Sequence, residues 1–236
     1  MDLRLTHTVG LVYDAPARAS YLEARLTPVS DAHQSIRNPH LDVDPQPWSS
    51  SYTDYWGSRV TAFEVLQAHA SLAVTATATV RTRAAEEPAD RLGWDDLADP
   101  RLVDELAELL VVGPLPPAEL SSLVGTLVTD GVRPGEVARA ACRLGGLSEV
   151  IGALREAGLP CRFVSGYVLG REQPHAWLEW WDGAWQPYDP AIGQVPGEGH
   201  VTRAVGRAAE DVRPLRGVHT GTTVTSRTDT VELVQV

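Results

Sequence analysis

The feature that most constrains the fold is the alternation of apolar and polar side chains along the first third of the chain. Near the start, every second residue is suited to a core: Leu3, Leu5, His7, Val9, Leu11 and Tyr13. A period of two is typical of a strand with one buried face. The pattern recurs over 20–26, 41–43 and 72–82, and a hairpin is predicted over 52–65 with Gly57 in its turn. These short strands predict an antiparallel β-sandwich over residues 1–84.

After the sandwich, the spacing of apolar residues changes to that of helices. A proline and a run of charges predict a linker over 84–98. Helices are then predicted at 100–110, where Asp99 is the N-cap, and at 117–129. The last residues, TTVTSRTDTVELVQV, alternate again and predict a terminal hairpin that turns near 227–229.

A third helical segment is predicted over 135–157. Gly145 and Gly146 either break this helix or are close-packing positions within one long helix. Together with the strands that follow, these helices predict a second domain over 97–236.

Composition excludes several classes of function. The chain has 236 residues and a net charge of −11, which disfavours a nucleic acid partner because such binding needs clustered cations. Two cysteines are too few for a disulfide framework. The start does not resemble a signal peptide and no window approaches ~18 apolar residues, so we expect a cytoplasmic protein without a membrane partner. Because no phosphate loop, dinucleotide fingerprint or metal-ligand spacing occurs, we expect neither a cofactor nor a metal.

Residues 142–190 contain three side chains that could do chemistry together. Cys142 lies beside the third helical segment, His175 on a predicted strand, and Asp189 at the end of the next strand. A thiolate needs a base to form and a carboxylate to hold that base in one tautomer. A three-residue hairpin loop over 181–183 would place His175 directly opposite Asp189, with Cβ atoms about 5 Å apart.

The same region resembles the bacterial transglutaminase-like family in three places: ALREAGLPCRFVSGY, the triplet His-Ala-Trp at 175–177, and WQPYDP. Residues 1–83 resemble the N-terminal β-domain of that family, for example at YLEARLTPVS, and the tail resembles it at AVGRAAEDVRPLRGVHTG. The resemblance covers nearly the whole chain and is weakest over 85–141. It implies a papain-like core with a catalytic triad. The implied catalytic residues are Cys142, His175 and Asp189. Separately, four of the seven tryptophans lie between 177 and 185, and we expect Trp177 and Trp185 to wall the site as substrate-binding residues.

The nucleophile is the position at which the chain departs from the family. If one counts back without a gap from Gly158 and Pro160, the cysteine of the family falls on Arg143, one residue after Cys142. Either one residue is inserted after Cys142 and the helix begins near Leu147, or this chain has lost its nucleophile. At a helix start, backbone N–H groups would stabilise a thiolate, whereas in mid-helix the cysteine would be a small buried hydrophobe.

The expected fold class is α+β, with an N-terminal antiparallel β-sandwich followed by a papain-like core in which a helix packs on an antiparallel sheet. The leading hypothesis is a cysteine-dependent acyl-transfer enzyme that forms a thioester with a peptide or protein amide substrate. Water as acceptor would give an amidase or peptidase, and a small amine would give a transglutaminase. The alternatives are a catalytically degenerate relative that binds a peptide or protein in the same cleft, and a structural module that acts through its sandwich.

Overall fold

The computed structural model describes residues 1–85 and 90–236. In this part of the chain, twelve strands form three four-stranded antiparallel sheets. The strands are β1 (Asp2–Ala17), β2 (Ala19–Ala24), β3 (Gln34–Asp44), β4 (Trp48–Thr53), β5 (Arg59–Val65), β6 (His69–Thr82), β7 (Cys161–Val168), β8 (His175–Trp181), β9 (Trp185–Tyr188), β10 (His200–Gly206), β11 (Leu215–Thr220) and β12 (Val224–Gln235). The helices are α1 (Trp94–Leu97), α2 (Pro100–Glu105), α3 (Ala118–Thr129), α4 (Pro134–Ala141) and α5 (Leu147–Glu156).

Two of the sheets form the predicted sandwich, and the last two strands of the chain complete them. One sheet has the order β12-β1-β6-β3, and the other has the order β11-β2-β5-β4. Leu3 lies opposite Gln235 in the first sheet, and Leu215 lies opposite Ala24 in the second. Strands β11 and β12 therefore belong to the sandwich, which corrects the predicted division into 1–84 and 97–236. Local periodicity cannot show which sheet edge a terminal strand will pair with, because that pairing is long-range.

The predicted terminal hairpin is also corrected. β12 continues without a turn through 227–229 and pairs with β1 along most of its length. The turn lies before it, between β11 and β12, where Gly221 has a φ of +77°. The alternation at the end of the chain is that of one long strand with a partly buried face.

The predicted helices are present with changed limits. The Asp99 carboxylate accepts from the backbone N–H of Arg101 at 2.8 Å, so Asp99 is the predicted N-cap of α2. α2 ends at Glu105, and a 3₁₀ turn at Ala107–Leu109 follows it. The predicted linker over 84–98 lies partly outside the described residues, at 86–89, and its far end contains α1.

The third helical segment is broken, as one of the two interpretations predicted. α4 ends at Ala141, and α5 begins at Leu147 after Gly146, whose extended backbone (φ −67°, ψ 155°) cannot continue a helix. A Cβ at Gly145 would lie 2.9 Å from Cδ2 of Leu120, so the small residue lets α3 approach the break.

The third sheet, with the order β10-β7-β8-β9, forms the core domain together with the helices. Buried side chains of α4 and α5 share an apolar cluster with Leu178 and Trp180 of β8. Side chains alternate along a strand, so His175 and Trp177 point to the opposite face of this sheet. The helices thus cover one face of β8, and His175 and Trp177 lie on the other face.

The hairpin that carries His175 and Asp189 differs from the predicted one by two residues of register. Trp181 pairs with Trp185 and Leu178 with Tyr188, so the loop is Asp182–Gly183–Ala184, with Gly183 at a φ of +77°. The buried Asp182 carboxylate accepts from the backbone N–H groups of Arg91 and Leu92, at 2.9 and 2.7 Å. This contact with the segment before α1 holds Asp182 in the loop, and local sequence does not reveal it.

Contacts between sandwich and core hold β10 in place. The Gln34 side chain bonds both backbone groups of Thr202, donating to its carbonyl at 2.6 Å and accepting from its N–H at 2.8 Å. The buried His7 ring lies 2.8 Å from the Tyr167 hydroxyl and 2.7 Å from Asp229.

Through residues 1–85 and 90–236, no helix combines the length and the apolar character that crossing a membrane requires.

Candidate functional site

Asp189 is the centre of the candidate site. Its carboxylate is fully buried just after β9, and its Oδ2 accepts from Nε2 of His175 at 2.7 Å and from Nε2 of His200 at 3.2 Å. Oδ1 accepts from the backbone N–H of Ala191 at 2.9 Å. Burial by itself would raise the pKa of Asp189, but the hydrogen bonds from the two imidazoles hold it well below its usual range. Asp189 is therefore an ionised acceptor that two histidines share.

Arg171 fixes the tautomer of His175. Its Nη1 lies 3.2 Å from Nδ1 of His175, and a guanidinium can only donate. Nδ1 must therefore carry the lone pair, and Nε2–H donates to Asp189. The proton therefore lies on the nitrogen that faces Asp189, as in a catalytic triad, but the nitrogen that would act as the base faces a cation here.

His200 is a member of the site to which the sequence assigned no role. It begins β10, and only the long-range pairing of β10 with β7 brings it to Asp189. Its ring stands edge-on to Trp177, with centroids 5.6 Å apart, and its buried Nδ1 has no hydrogen-bond partner within the described residues. A histidine 11 residues beyond the aspartate gives no local signal of this contact.

Trp177 lies beside both imidazoles. Its ring centroid is 6.2 Å from that of His175, and the residue is 2% exposed. A Cβ at Gly166 would lie 2.6 Å from Cη2 of Trp177 and 2.0 Å from the carbonyl oxygen of Val201, so only glycine fits above the indole. Trp177 fixes the imidazoles by packing.

Trp185 lies apart from this group. Its ring packs under the Arg162 guanidinium at 4.3 Å and against Trp181 at 5.2 Å. It precedes Asp189 by four residues of extended chain, which corresponds to about 13 Å along the strand. Arg162 also pairs with Glu179 at 2.5 Å, so Trp185 belongs to a structural brace at the other end of the hairpin.

Cys142 is buried at the C-terminal end of α4. Its backbone N–H donates to Ala138 at 3.1 Å, the residue is 5% exposed, and it belongs to the same apolar cluster as Leu178 and Trp180. Burial, with a smaller contribution from the Asp189 carboxylate, raises the pKa of the Cys142 thiol to about 12. No hydrogen bond joins Cys142 to His175 in the part of the chain that the structure describes.

The start of α5, residues of β7, β8 and β10, and the segment 209–214 line a cleft of about 710 Å³, called here the α5 cleft. His175 lines it, and Cys142 does not. Its other polar lining residues include Ser148, Glu149, Ser165, Arg203 and Arg213. Across the described ranges, no group of three or more His, Cys, Asp or Glu side chains is arranged to hold a metal ion.

Known proteins are similar to the chain in sequence and in fold. The bacterial transglutaminase-like N-terminal region matches residues 3–81, and the transglutaminase-like superfamily matches 148–190, a range that includes His175 and Asp189 but not Cys142. An uncharacterised protein of Mycobacterium leprae is 30% identical over 275 aligned positions, which cover 99% of each chain.

The fold is also that of a solved structure from Cytophaga hutchinsonii, described as a candidate cysteine protease. It is 16% identical and superposes with a TM-score of 0.72 over 100% of this chain and 92% of the other. Matched sequence over residues 3–81 and 148–190, together with this shared α+β architecture, leads to one conclusion: the chain belongs to the bacterial transglutaminase-like family.

Proposed function

We propose that this protein is a peptide- or protein-binding member of its family that recognises its ligand in the α5 cleft without forming a cysteine thioester. The observation that carries the proposal is the burial of Cys142, whose thiol has a pKa raised to about 12. At neutral pH such a thiol is almost entirely protonated. A nucleophilic cysteine of this fold needs the reverse shift.

The surroundings of His175 support the same proposal. A general base must reach the proton that it removes, and the basic Nδ1 of His175 is engaged by Arg171. The first turn of α5, where a helix would lower a thiol pKa, contains Leu147, Ser148 and Glu149.

In a binding protein, the His175, Asp189 and His200 group has a positioning role. Each imidazole is held by a charge-assisted hydrogen bond and packs against Trp177. A rigid wall lowers the entropy that is lost when a ligand binds. His175, 10% exposed, is the member that lines the cleft.

A transfer assay with a matched variant tests this function. The protein is incubated with a glutamine-containing peptide and a fluorescent primary amine, and both amine incorporation and peptide hydrolysis are followed by mass spectrometry. We expect no product above the level of Cys142→Ala. Product that is lost in Cys142→Ala, while Cys161→Ala retains it, would contradict the proposal.

The second candidate is thiol acyl transfer by Cys142, His175 and Asp189, and the 2.7 Å bond of the His-Asp pair favours it. In this mechanism, the Cys142 sulfur attacks an amide carbonyl, His175 takes the thiol proton and returns it to the leaving amine, and Asp189 orients the imidazole. Water or an amine then cleaves the thioester. Cys142 would first have to leave the apolar cluster, with Gly145 and Gly146 as the hinge, so alanine at both glycines should remove any such activity.

A further inference from the structure

The α5 cleft is lined by a buried cation without a counter-ion. Arg203 is 1% exposed and lies at the irregularity of β10, between Thr202 and Ala204. Its guanidinium donates to the Ser165 hydroxyl and the Val212 carbonyl, both at 2.7 Å, and to the Arg25 carbonyl. Within residues 1–85 and 90–236, no carboxylate lies within ion-pair distance of it.

This arrangement leaves both a charge and a donor unsatisfied. Burial lowers the pKa of Arg203, but a guanidinium stays protonated at neutral pH. Removing an unpaired ion from water is unfavourable, and carbonyl oxygens offset that cost only in part. In addition, Nε of Arg203 has no hydrogen-bond partner in the described structure. An anion in the cleft would supply both the missing charge and the missing acceptor.

The first turn of α5 offers further donors to the same cleft. Gly146, Leu147 and Ser148 line it, and the N-cap Gly146 has no side chain to accept from the first-turn N–H groups. Unsatisfied N–H groups at a helix start favour negative charge. Because Nε of the buried Arg203 has no hydrogen-bond partner among the described residues, this helix start is not the only feature that points to an anion.

Arg203 has no ion-pair partner among the charged residues that line the cleft. Its ionisable lining residues are Arg203, Arg213, His175 and Glu149. Oε2 of Glu149 already accepts from the N–H of Gly146 at 2.9 Å, and Arg213 pairs with the exposed Glu210 at 2.6 Å. With the Arg213–Glu210 pair neutral, Arg203 and Glu149 carry opposite charges but form no ion pair within the described residues, so the Arg203 guanidinium has no direct counter-ion.

We propose that the α5 cleft recognises a carboxylate group of its peptide ligand, through Arg203 and the first turn of α5. This rests on the proposed function only in placing the ligand in this cleft. One carboxylate matches one uncompensated guanidinium in charge, and its two oxygens can accept from Nε and from a first-turn N–H. The cleft volume of about 710 Å³ admits a side chain together with its flanking peptide units.

Titration followed by NMR tests the carboxylate directly. N-acetylglutamate amide, N-acetylglutamine amide and inorganic phosphate are titrated at low salt into ¹⁵N-labelled protein, with the N–H signals of Leu147, Ser148 and Arg203 Nε observed. We expect saturable shifts with the glutamate compound at least ~10-fold tighter than with the glutamine compound, and weakened by salt. Equal response to both compounds, no saturation with the glutamate compound, or tighter binding of phosphate would overturn the proposal.

Variants locate the site and separate this proposal from the proposed function. Arg203→Lys keeps the buried charge but removes Nε, so binding of the glutamate compound should weaken at least ~10-fold. If this variant fails to fold, Arg213→Ala at the exposed rim should still weaken binding about 2–5-fold, whereas the exposed Arg4→Ala on β1 should leave it unchanged. Weaker binding of the glutamate compound by Arg4→Ala, or unchanged binding by a folded Arg203→Lys, would overturn the proposal. Cysteine-dependent turnover would contradict the proposed function without affecting these titrations.

Discussion

Nε2 of His175 lies 2.7 Å from Oδ2 of Asp189 although the strands that carry them place the two residues diagonally. The observed strand pairing is shifted by two residues from the pairing that would place His175 directly opposite Asp189. Because side chains along a strand alternate with a period of two, both side chains still lie on the same face of the sheet. Diagonal partners are about 7–8 Å apart at Cα, a span that an imidazole and a carboxylate can bridge together. The hydrogen bond between His175 and Asp189 therefore forms although the hairpin register differs from the predicted one.

Replacing the shared carboxylate should destabilise the protein. Asp189→Asn leaves two buried imidazole N–H groups beside a neutral amide, so we expect a loss of about 2–4 kcal/mol in the free energy of unfolding, measured by urea titration at pH 7. Asp42→Asn, on an exposed position of β3, should change it by less than about 0.5 kcal/mol. Similar values for the two variants would show that the hydrogen bonds to Asp189 contribute little.

The same carboxylate predicts a loss of stability in acid. The pKa of Asp189 is lower in the folded than in the unfolded chain, so its contribution is present above the unfolded pKa of about 3.9 and declines as pH falls toward the folded value. The difference in unfolding free energy between wild type and Asp189→Asn should therefore shrink below pH 4. A difference that stays constant from pH 6 to pH 3 would contradict the depressed pKa.

The buried thiol predicts the opposite dependence in alkali. The pKa of Cys142 rises from 9.0 to about 12 on folding, so the unfolded chain releases a proton that the folded chain retains. Stability is intact below pH 9 and is lost between pH 9 and pH 12. Relative to Cys142→Ala, the wild type should lose about 2 kcal/mol between pH 8 and pH 10.5 in urea titrations. Parallel curves for the two proteins would contradict burial of the neutral thiol.

Gly166 should tolerate no larger residue. An added Cβ meets the Val201 carbonyl at 2.0 Å and the Trp177 ring at 2.6 Å, so Gly166→Ala must displace β10 or the indole. We expect a loss of about 1–3 kcal/mol or more, measured as a lower Tm. Gly125→Ala in α3 has open space around its Cβ and should raise stability by about 0.5–1 kcal/mol. A neutral Gly166→Ala would contradict the packing around Trp177.

Substitution of the two tryptophans expected at the site should affect stability and ligand binding differently. Trp185→Ala removes the contact with Arg162 and should lower stability by about 1–3 kcal/mol without changing binding in the α5 cleft. Trp177→Phe should weaken that binding, because the ring fixes His175 and His200. The titration with N-acetylglutamate amide distinguishes them, and weaker binding in Trp185→Ala would restore Trp185 to the site.

The fold was predictable where periodicity is local. The strands of the sandwich follow from side-chain alternation, whereas the sequence left open whether Gly145 and Gly146 break the third helical segment. The contribution of β11 and β12 to the sandwich was not predictable, since pairing between the two ends of a chain leaves no local pattern.

The site was predictable in part for the same reason. His175 and Asp189 lie on one hairpin, and their side-chain parity is a local property. His200 reaches Asp189 through β7, and Cys142 is buried by packing of α4 on the sheet, so both depend on tertiary contacts. The shifted loop depends on Asp182, which binds backbone N–H groups about 90 residues away.

The rate at which Cys142 reacts with iodoacetamide as a function of pH tests the central claim most directly. Mass spectrometry of peptides after brief labelling separates Cys142 from Cys161, and protein unfolded in urea supplies the reference rate. We predict that folded Cys142 reacts far more slowly than the unfolded reference at pH 7 and that its rate is still rising at pH 10. Rapid labelling of Cys142 at pH 7 that disappears in His175→Ala would contradict this and show an activated nucleophile.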